Sequence, residues 1–343
     1  MLVIMVLLAA AAAGSYYYYN RMLEPVDPEA TEEYTVVDIP SGSNTEFIAA
    51  ILYEQGLIHD ELVFRIYVHR HNLAQGFIAG QYKLNPAMNI EEITAKIQAG
   101  DVYYETIWFT IPEGYRIEEI ADRLQDNNLG ERNKFLEIAA DPPSDLKEEF
   151  PFLEDINATD LEYLLEGYLF PDTYEVYTDA NLEEIVKMML RRTDRIINDE
   201  YRQRMEDIGL SLHEIMTIAS LIEREARVDH ERALISGVIY NRLEREQLLQ
   251  IDATIQYILG ESKEFLTYDD LEVDSPYNTY QNEGLPPGPI AAPGEASLKA
   301  ALYPEDTDYY YYNYKYDDSG EHYFSHTYQE HLVNVRRAEE NLD

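Results

Sequence analysis

The chain has 343 residues, with 66 Asp and Glu against 26 Lys and Arg, so its formal net charge is −40 and its isoelectric point lies near 4.3. That balance excludes nucleic acid and an anionic membrane surface as docking partners, because phosphates would be repelled; it marks a solvated surface, as in salt- or alkali-adapted proteins. The 45% of hydrophobic residues can fill more than one core, and the absence of cysteine excludes disulfides and thiolate metal sites.

Residues 1–19 carry no charge: Met1 to Ala13 is apolar, Gly14 and Ser15 follow, and Tyr16 to Tyr19 form an aromatic block. The preferred reading is a single transmembrane anchor with tyrosines at the membrane boundary, holding the rest of the chain on the extracytoplasmic side of the cell membrane. The competing reading is a cleaved signal peptide, since the alanine run offers small residues to a peptidase. Residues 20–34, with Pro25, Pro28 and several acids, read as a linker.

An internal repeat follows. Ile39-Pro40-Ser41-Gly42 leads to Glu46, Ile48, Ala49, Leu52 and Leu57, and Ile111-Pro112-Glu113-Gly114 leads to Glu118, Ile120, Ala121, Leu124 and Leu129 at a constant offset of 72. Each copy predicts a short strand, a Pro-x-Gly turn and an amphipathic helix. Small α/β units of this kind resemble glycan-binding LysM modules, and a plain spacer is the alternative. Residues 35–105 are expected to form one LysM-like module, and 106–160 a second repeat and its connection.

Residues 161–343 are expected to form a mixed α/β catalytic domain, which makes the whole chain α+β. Leu164 to Tyr174 is dense in aromatic and turn residues, and Leu182 to Asp207 predicts a charged helix or helix pair. From Ser211 to Arg227 a capping box (Ser211, Glu214) starts a helix. A helical period puts Leu212, Ile215, Met216, Ala219, Ile222 and Ala226 on one face. Glu223 falls at the margin of that face, whereas Glu214 and Glu225 project to the opposite side and Arg224 lies off the stripe. A carboxyl on a buried face has a raised pKa and can serve as a general acid; the alternative is an edge glutamate that reaches solvent. Arg227, one turn on, would favour the carboxylate and is expected to turn outward.

A further helix is predicted over 231–245. Beyond it, Gly284-Leu285-Pro286-Pro287-Gly288 predicts a rigid turn. Tyr309 to Tyr316 should pair with Glu321 to Phe324 across Asp317-Asp318-Ser319-Gly320. His322, His326 and His331 have no zinc-like spacing, and no phosphate cradle or serine elbow occurs, so no metal or cofactor is implied.

Several motifs then stand in one order: Glu166-Gly167-x-Leu169-Phe170-Pro171-Asp172-Thr173-Tyr174, Ile218-Ala219-Ser220-Leu221-Ile222-Glu223-Arg224-Glu225, Leu249-Gln250-x-Asp252-x-Thr254-x-x-Tyr257, Tyr277-Asn278-Thr279-Tyr280, Gly284 to Ile290, and His322-x-Phe324-Ser325. From about Thr35 to the C-terminus the chain resembles the endolytic murein transglycosylases of the YceG-like (MltG) family. Ala253 stands where that family often has proline, and tyrosines fill the Tyr309 hairpin. The resemblance implies a lyase that cleaves nascent peptidoglycan strands between N-acetylmuramic acid and N-acetylglucosamine, leaves 1,6-anhydro ends and terminates elongation beside peptidoglycan synthases. It places the catalytic glutamate at Glu223 and a sugar groove along Asp252, Gln256, Asn278 and Tyr280. Glu166 is assigned to that groove or to a helix cap, and Asp252 and Asn278 have the alternative role of tying loops. A hydrolytic muramidase and a non-catalytic glycan-binding scaffold are the competing functions.

Overall fold

The structure, a computed structural model, describes residues 2–154, 156–263 and 265–342, with the side chain of residue 2 left out. Residues 1, 155, 264 and 343, which the expected anchor, connection and catalytic segments include, lie outside the described residues. The architecture is α+β and mostly helical, with three two-stranded sheets among the described residues. The chain divides into two compact units, 1–105 and 106–343.

The first unit begins with α1 (Leu2–Leu23). Among the described residues no helix is long and apolar enough to cross a membrane. The apolar run ends at Ala13. The polar end of α1 is used otherwise: Tyr19, Met22 and Leu23 pack on the core of this unit, and Tyr18 donates to Asp60 at 3.2 Å. Then come β1 (Thr35–Ile39), α2 (Thr45–Glu54), α3 (Glu61–Arg70), β2 (Gly80–Leu84) and α4 (Ile90–Ala99). Strands β1 and β2 pair antiparallel, Val37 opposite Tyr82. Their alternation turns Val37, Ile39, Tyr82 and Leu84 inward onto Ile48, Leu52, Phe64 and Ile93.

In the second unit β3 (Thr106–Thr110) is followed by α5 (Ile117–Asp126), α6 (Arg132–Ala140) and α7 (Ser144–Glu149), and β4 (Thr173–Tyr177) returns to pair antiparallel with β3. The first unit after α1 and the start of the second therefore share the same sequence of strand, Pro-x-Gly turn, helices and return strand. In the second unit Ile117, Leu124 and Phe135 join one continuous core with Leu169, Met189 and Ile218, so residues 106–160 are built into the larger unit.

The helices α8 (Leu182–Ile196), α9 (Asp199–Ile208), α10 (Leu212–Glu225), α11 (Arg232–Glu244), α12 (Asp252–Leu259), α13 (Tyr268–Leu271) and α14 (Glu295–Leu302) follow, then β5 (Tyr311–Tyr314), β6 (His322–Ser325) and α15 (Tyr328–Glu339). The aromatic hairpin forms as its alternation indicates, with Tyr311 opposite Ser325 and Tyr314 opposite His322. Helix α10 starts at the capping box: Ser211 Oγ accepts from Glu214 N at 3.2 Å, and Glu214 Oε2 accepts from Ser211 N at 2.8 Å. It packs against α9, α11, α12 and α14, and every residue from Ile215 to Ile222 is buried. The single buried stripe expected from the helical period is thus replaced by burial on all sides, including Thr217, Ile218, Ser220 and Leu221. The short polar side chains make this possible by bonding locally: Thr217 Oγ1 donates to His213 O at 2.7 Å, and Ser220 Oγ to Thr217 O at 2.7 Å.

Candidate active site

Because α10 is surrounded, its two C-terminal glutamates both meet protein, in opposite directions and in different surroundings. The Glu223 side chain is 7% exposed and its Oε2 accepts from Gly294 N at 3.0 Å and Ser297 Oγ at 2.8 Å, both at the start of α14, with Arg232 Nη1 at 3.3 Å. Three donors on one oxygen suit a carboxylate that ties α10 to α14 and α11. Arg227 is exposed and stacks over the Tyr314 ring at 4.5 Å, and the cation beside Glu223 is instead Arg232, from the next helix.

Glu225 meets the opposite environment. Its carboxyl is enclosed by Tyr312 of β5, whose hydroxyl donates to it, by the amide of Ala253 at the start of α12, and by the nearby charge of Asp252. Burial above all, and then the Asp252 charge, push its pKa up to about 7, against the hydrogen bonds from Tyr312 and Ala253 and the charge of Arg224. Tyr312 is itself driven well above the usual phenol range by burial and by the Glu225 charge. Glu225 opens on a pocket of about 390 Å³ whose walls include Asp252, Tyr280, Tyr312, Tyr314 and His322. Flat aromatic walls with a few convergent polar groups suit the alternating apolar faces and hydroxyl edges of a sugar.

The residues expected along the groove divide. Asp252 and Tyr280 line this pocket, with the Tyr280 hydroxyl donating to Asp252 Oδ1. Gln256 lies in a separate hollow of about 60 Å³ beside Arg116 and Arg224, its amide held by Lys263 O at 3.2 Å. Asn278 is fully buried and ties its loop: Nδ2 donates to Leu271 O at 3.0 Å and Val273 O at 2.8 Å, and Oδ1 accepts from Tyr280 N at 2.9 Å. Glu166 is 3% exposed and accepts the Ile117 amide at 3.2 and 3.3 Å, so it closes the start of α5 from inside the core. Desolvation there pushes it up to about 8. Gln256, Asn278 and Glu166 therefore stand away from the pocket that Glu225 faces.

Sequence reasoning gives no groove role to Glu225, Tyr312 and Glu231, and weighs His322 only as a metal ligand and as part of a motif. Glu225 lies on the side of the helix that the apolar period leaves outside the core. A signal does exist: the apolar residues Ile218 and Leu221 lie off the stripe, which a one-sided helix would not need.

The profile of the YceG-like family matches residues 37–337. A Bacillus subtilis (strain 168) protein named endolytic murein transglycosylase is 39% identical over 315 residues, spanning 90% of this chain and 86% of its own length. A protein of the same name from Streptococcus pneumoniae serotype 2 is 32% identical over 332 residues, covering 91% of this chain and 60% of that protein. The crystal structure of a YceG-like protein from Listeria monocytogenes, 39% identical, superposes with a TM-score of 0.61 over 88% of this chain and 99% of that one. With the matched motifs lying on α10, α12 and the loops around them, the chain belongs to the YceG-like family.

Proposed function

We propose that this protein is an endolytic peptidoglycan lytic transglycosylase, cutting nascent glycan strands between N-acetylmuramic acid and N-acetylglucosamine to leave 1,6-anhydro ends. The observation that carries this reading is Glu225: a carboxyl held up to about 7, opening on an aromatic-walled pocket, on a helix that carries a family motif. We place the acid there and not at Glu223, whose oxygen is already occupied by Gly294, Ser297 and Arg232.

Protonated Glu225 donates to the glycosidic oxygen as the bond to the anomeric carbon breaks through an oxocarbenium-like state. The 6-hydroxyl of the same muramyl residue then closes on that carbon. An internal nucleophile has a large effective concentration, so no water needs activation. Such a substrate lies outside the cytoplasm. We accordingly assign the catalytic unit to the extracytoplasmic side of the cell membrane, with the exposed apolar run of α1, Val3 to Leu8, as the segment that meets the bilayer. Ending elongation in this way places the protein beside peptidoglycan synthases.

The second reading, a hydrolytic muramidase, is favoured by one observation: the Asp252 carboxylate acts on Glu225 across the same pocket, as a second acid would in a water-activating glycosidase. Mass analysis of digested glycan strands separates the two. Anhydro ends from wild type, lost in Glu225→Gln and retained in Glu223→Gln with a lowered melting temperature, are the expected result. Reducing ends mean hydrolysis, and no cleavage means a binding scaffold. An active Glu225→Gln protein overturns the assignment of the acid.

A further inference from the structure

The proton on the attacking 6-hydroxyl must go somewhere, and the pocket holds a second buried pair that the acid step does not use. We propose that Glu231 and His322 form the base of this site, with His322 Nε2 accepting the 6-hydroxyl proton as that oxygen closes on the anomeric carbon. This rests on the lytic reading above and adds a residue to it.

Glu231 sits in the single 3₁₀ turn before α11 and is 4% exposed; His322 opens β6, is 7% exposed and lines the same pocket as Glu225. The Glu231 carboxylate accepts the His322 backbone N–H through both oxygens, at 3.0 and 3.1 Å, and Oε2 lies 2.7 Å from Nδ1. With both carboxylate oxygens already accepting, Nδ1 carries the ring proton and donates. Neutral imidazole has one N–H, so Nε2 holds the lone pair. Tyr312 and Tyr314 meet the ring steeply, at centroid distances of 5.6 and 5.5 Å, and hold its plane. Tyr312 also donates to Glu225, so one side chain touches both groups.

The charges around the ring keep it ready to accept a proton. Burial, the strongest influence, lowers its pKa; Glu231 raises it by hydrogen bond and charge, and the Arg227 and Lys315 cations lower it again. The net direction is downward, so the imidazole is neutral where Glu225 is still protonated. An oriented carboxylate behind a neutral imidazole also stabilises the imidazolium that forms, as in other acid–histidine pairs.

The step balances. The bond from the anomeric carbon to the leaving oxygen breaks and that oxygen takes the Glu225 proton. The 6-oxygen forms its bond to the anomeric carbon and loses its proton to His322. Imidazolium and carboxylate remain, and transfer of that proton back to Glu225 through pocket water resets the site with no co-reactant.

The test uses the full chain and purified glycan strands, with turnover measured across pH and products weighed. We expect a narrow bell in wild type, its acid limb set by His322 and its alkaline limb by Glu225. His322→Gln should lower turnover by about 10²–10⁴-fold, the usual weight of a positioned base, and should erase the acid limb. Glu231→Gln keeps a hydrogen-bonding group beside Nδ1 but removes the charge that raises the ring, so the acid limb should move to lower pH. A folded His322→Gln protein with turnover within threefold of wild type overturns the proposal. So does an acid limb that Glu231→Gln leaves in place, a readout that stands even where the His322 variant does not fold. Failure of the lytic reading looks different: wild type then releases no anhydro ends.

Discussion

In the proposed reaction Glu225 acts as the protonated acid, so its environment dictates how rate follows pH. Its folded value is about 7, and turnover is expected to fall about tenfold per pH unit above that. Tyr312 lowers that value by donating to the carboxylate, so Tyr312→Phe should carry the alkaline limb to higher pH while leaving the ring in place. A limb that stays put in a pH–rate titration of this variant would show that another group sets it. Much of this residue-level detail was not legible in the sequence. The motif on α10 points to one turn of the helix but does not separate the surroundings of its two carboxyls. Glu223 and Glu225 differ in partners that arrive from Gly294, Ser297 and Arg232 on one side and Tyr312 and Ala253 on the other, all distant along the chain. Asp252 and Tyr280 do reach the pocket, whereas Asn278 and Glu166 answer unsatisfied backbone groups instead.

Elements with local signals were legible. Ser211 with Glu214 marks the start of α10, and the Asp-Asp-Ser-Gly turn with its flanking aromatics marks the β5–β6 hairpin. The pairing of β3 with β4, separated by three helices, has no local signal, and neither does the burial of α10 on every side. Between these elements, Gly167 shows how closely the turns are packed. Its φ is +79°, and an added Cβ would lie 2.4 Å from Pro289 Cβ and 3.2 Å from Ala291 O. Gly167→Ala should therefore cost about 2–4 kcal/mol, combining left-handed strain with overpacking against the proline loop. Urea denaturation measures it; a loss under 1 kcal/mol would mean that the loop yields freely.

Across the whole molecule, two buried acids and a large surface charge govern stability. Glu166 and Glu225 have folded values near 8 and 7 against an ordinary 4.5. Between those values the folded chain binds more protons than the unfolded one, so stability falls as pH rises from about 4.5 to 8. Glu166→Gln should flatten the upper part of that decline in melting curves taken across pH; an unchanged slope would place its cause elsewhere. The net charge of −40 adds self-repulsion that salt screens, so the melting temperature should rise with added sodium chloride at neutral pH. The composition made that surface charge legible from the start, but the interior acids needed coordinates, because a glutamate in a turn carries no mark of what will close over it.

The anchorage of Glu223 to the start of α14 has a consequence for anyone scanning this protein by mutagenesis. Cutting that mooring costs stability, while Tyr312 and Ala253 still hold its next-but-one neighbour in place. An activity screen alone would then pass over a missing strut, and only a melting curve run beside the assay reveals what was removed.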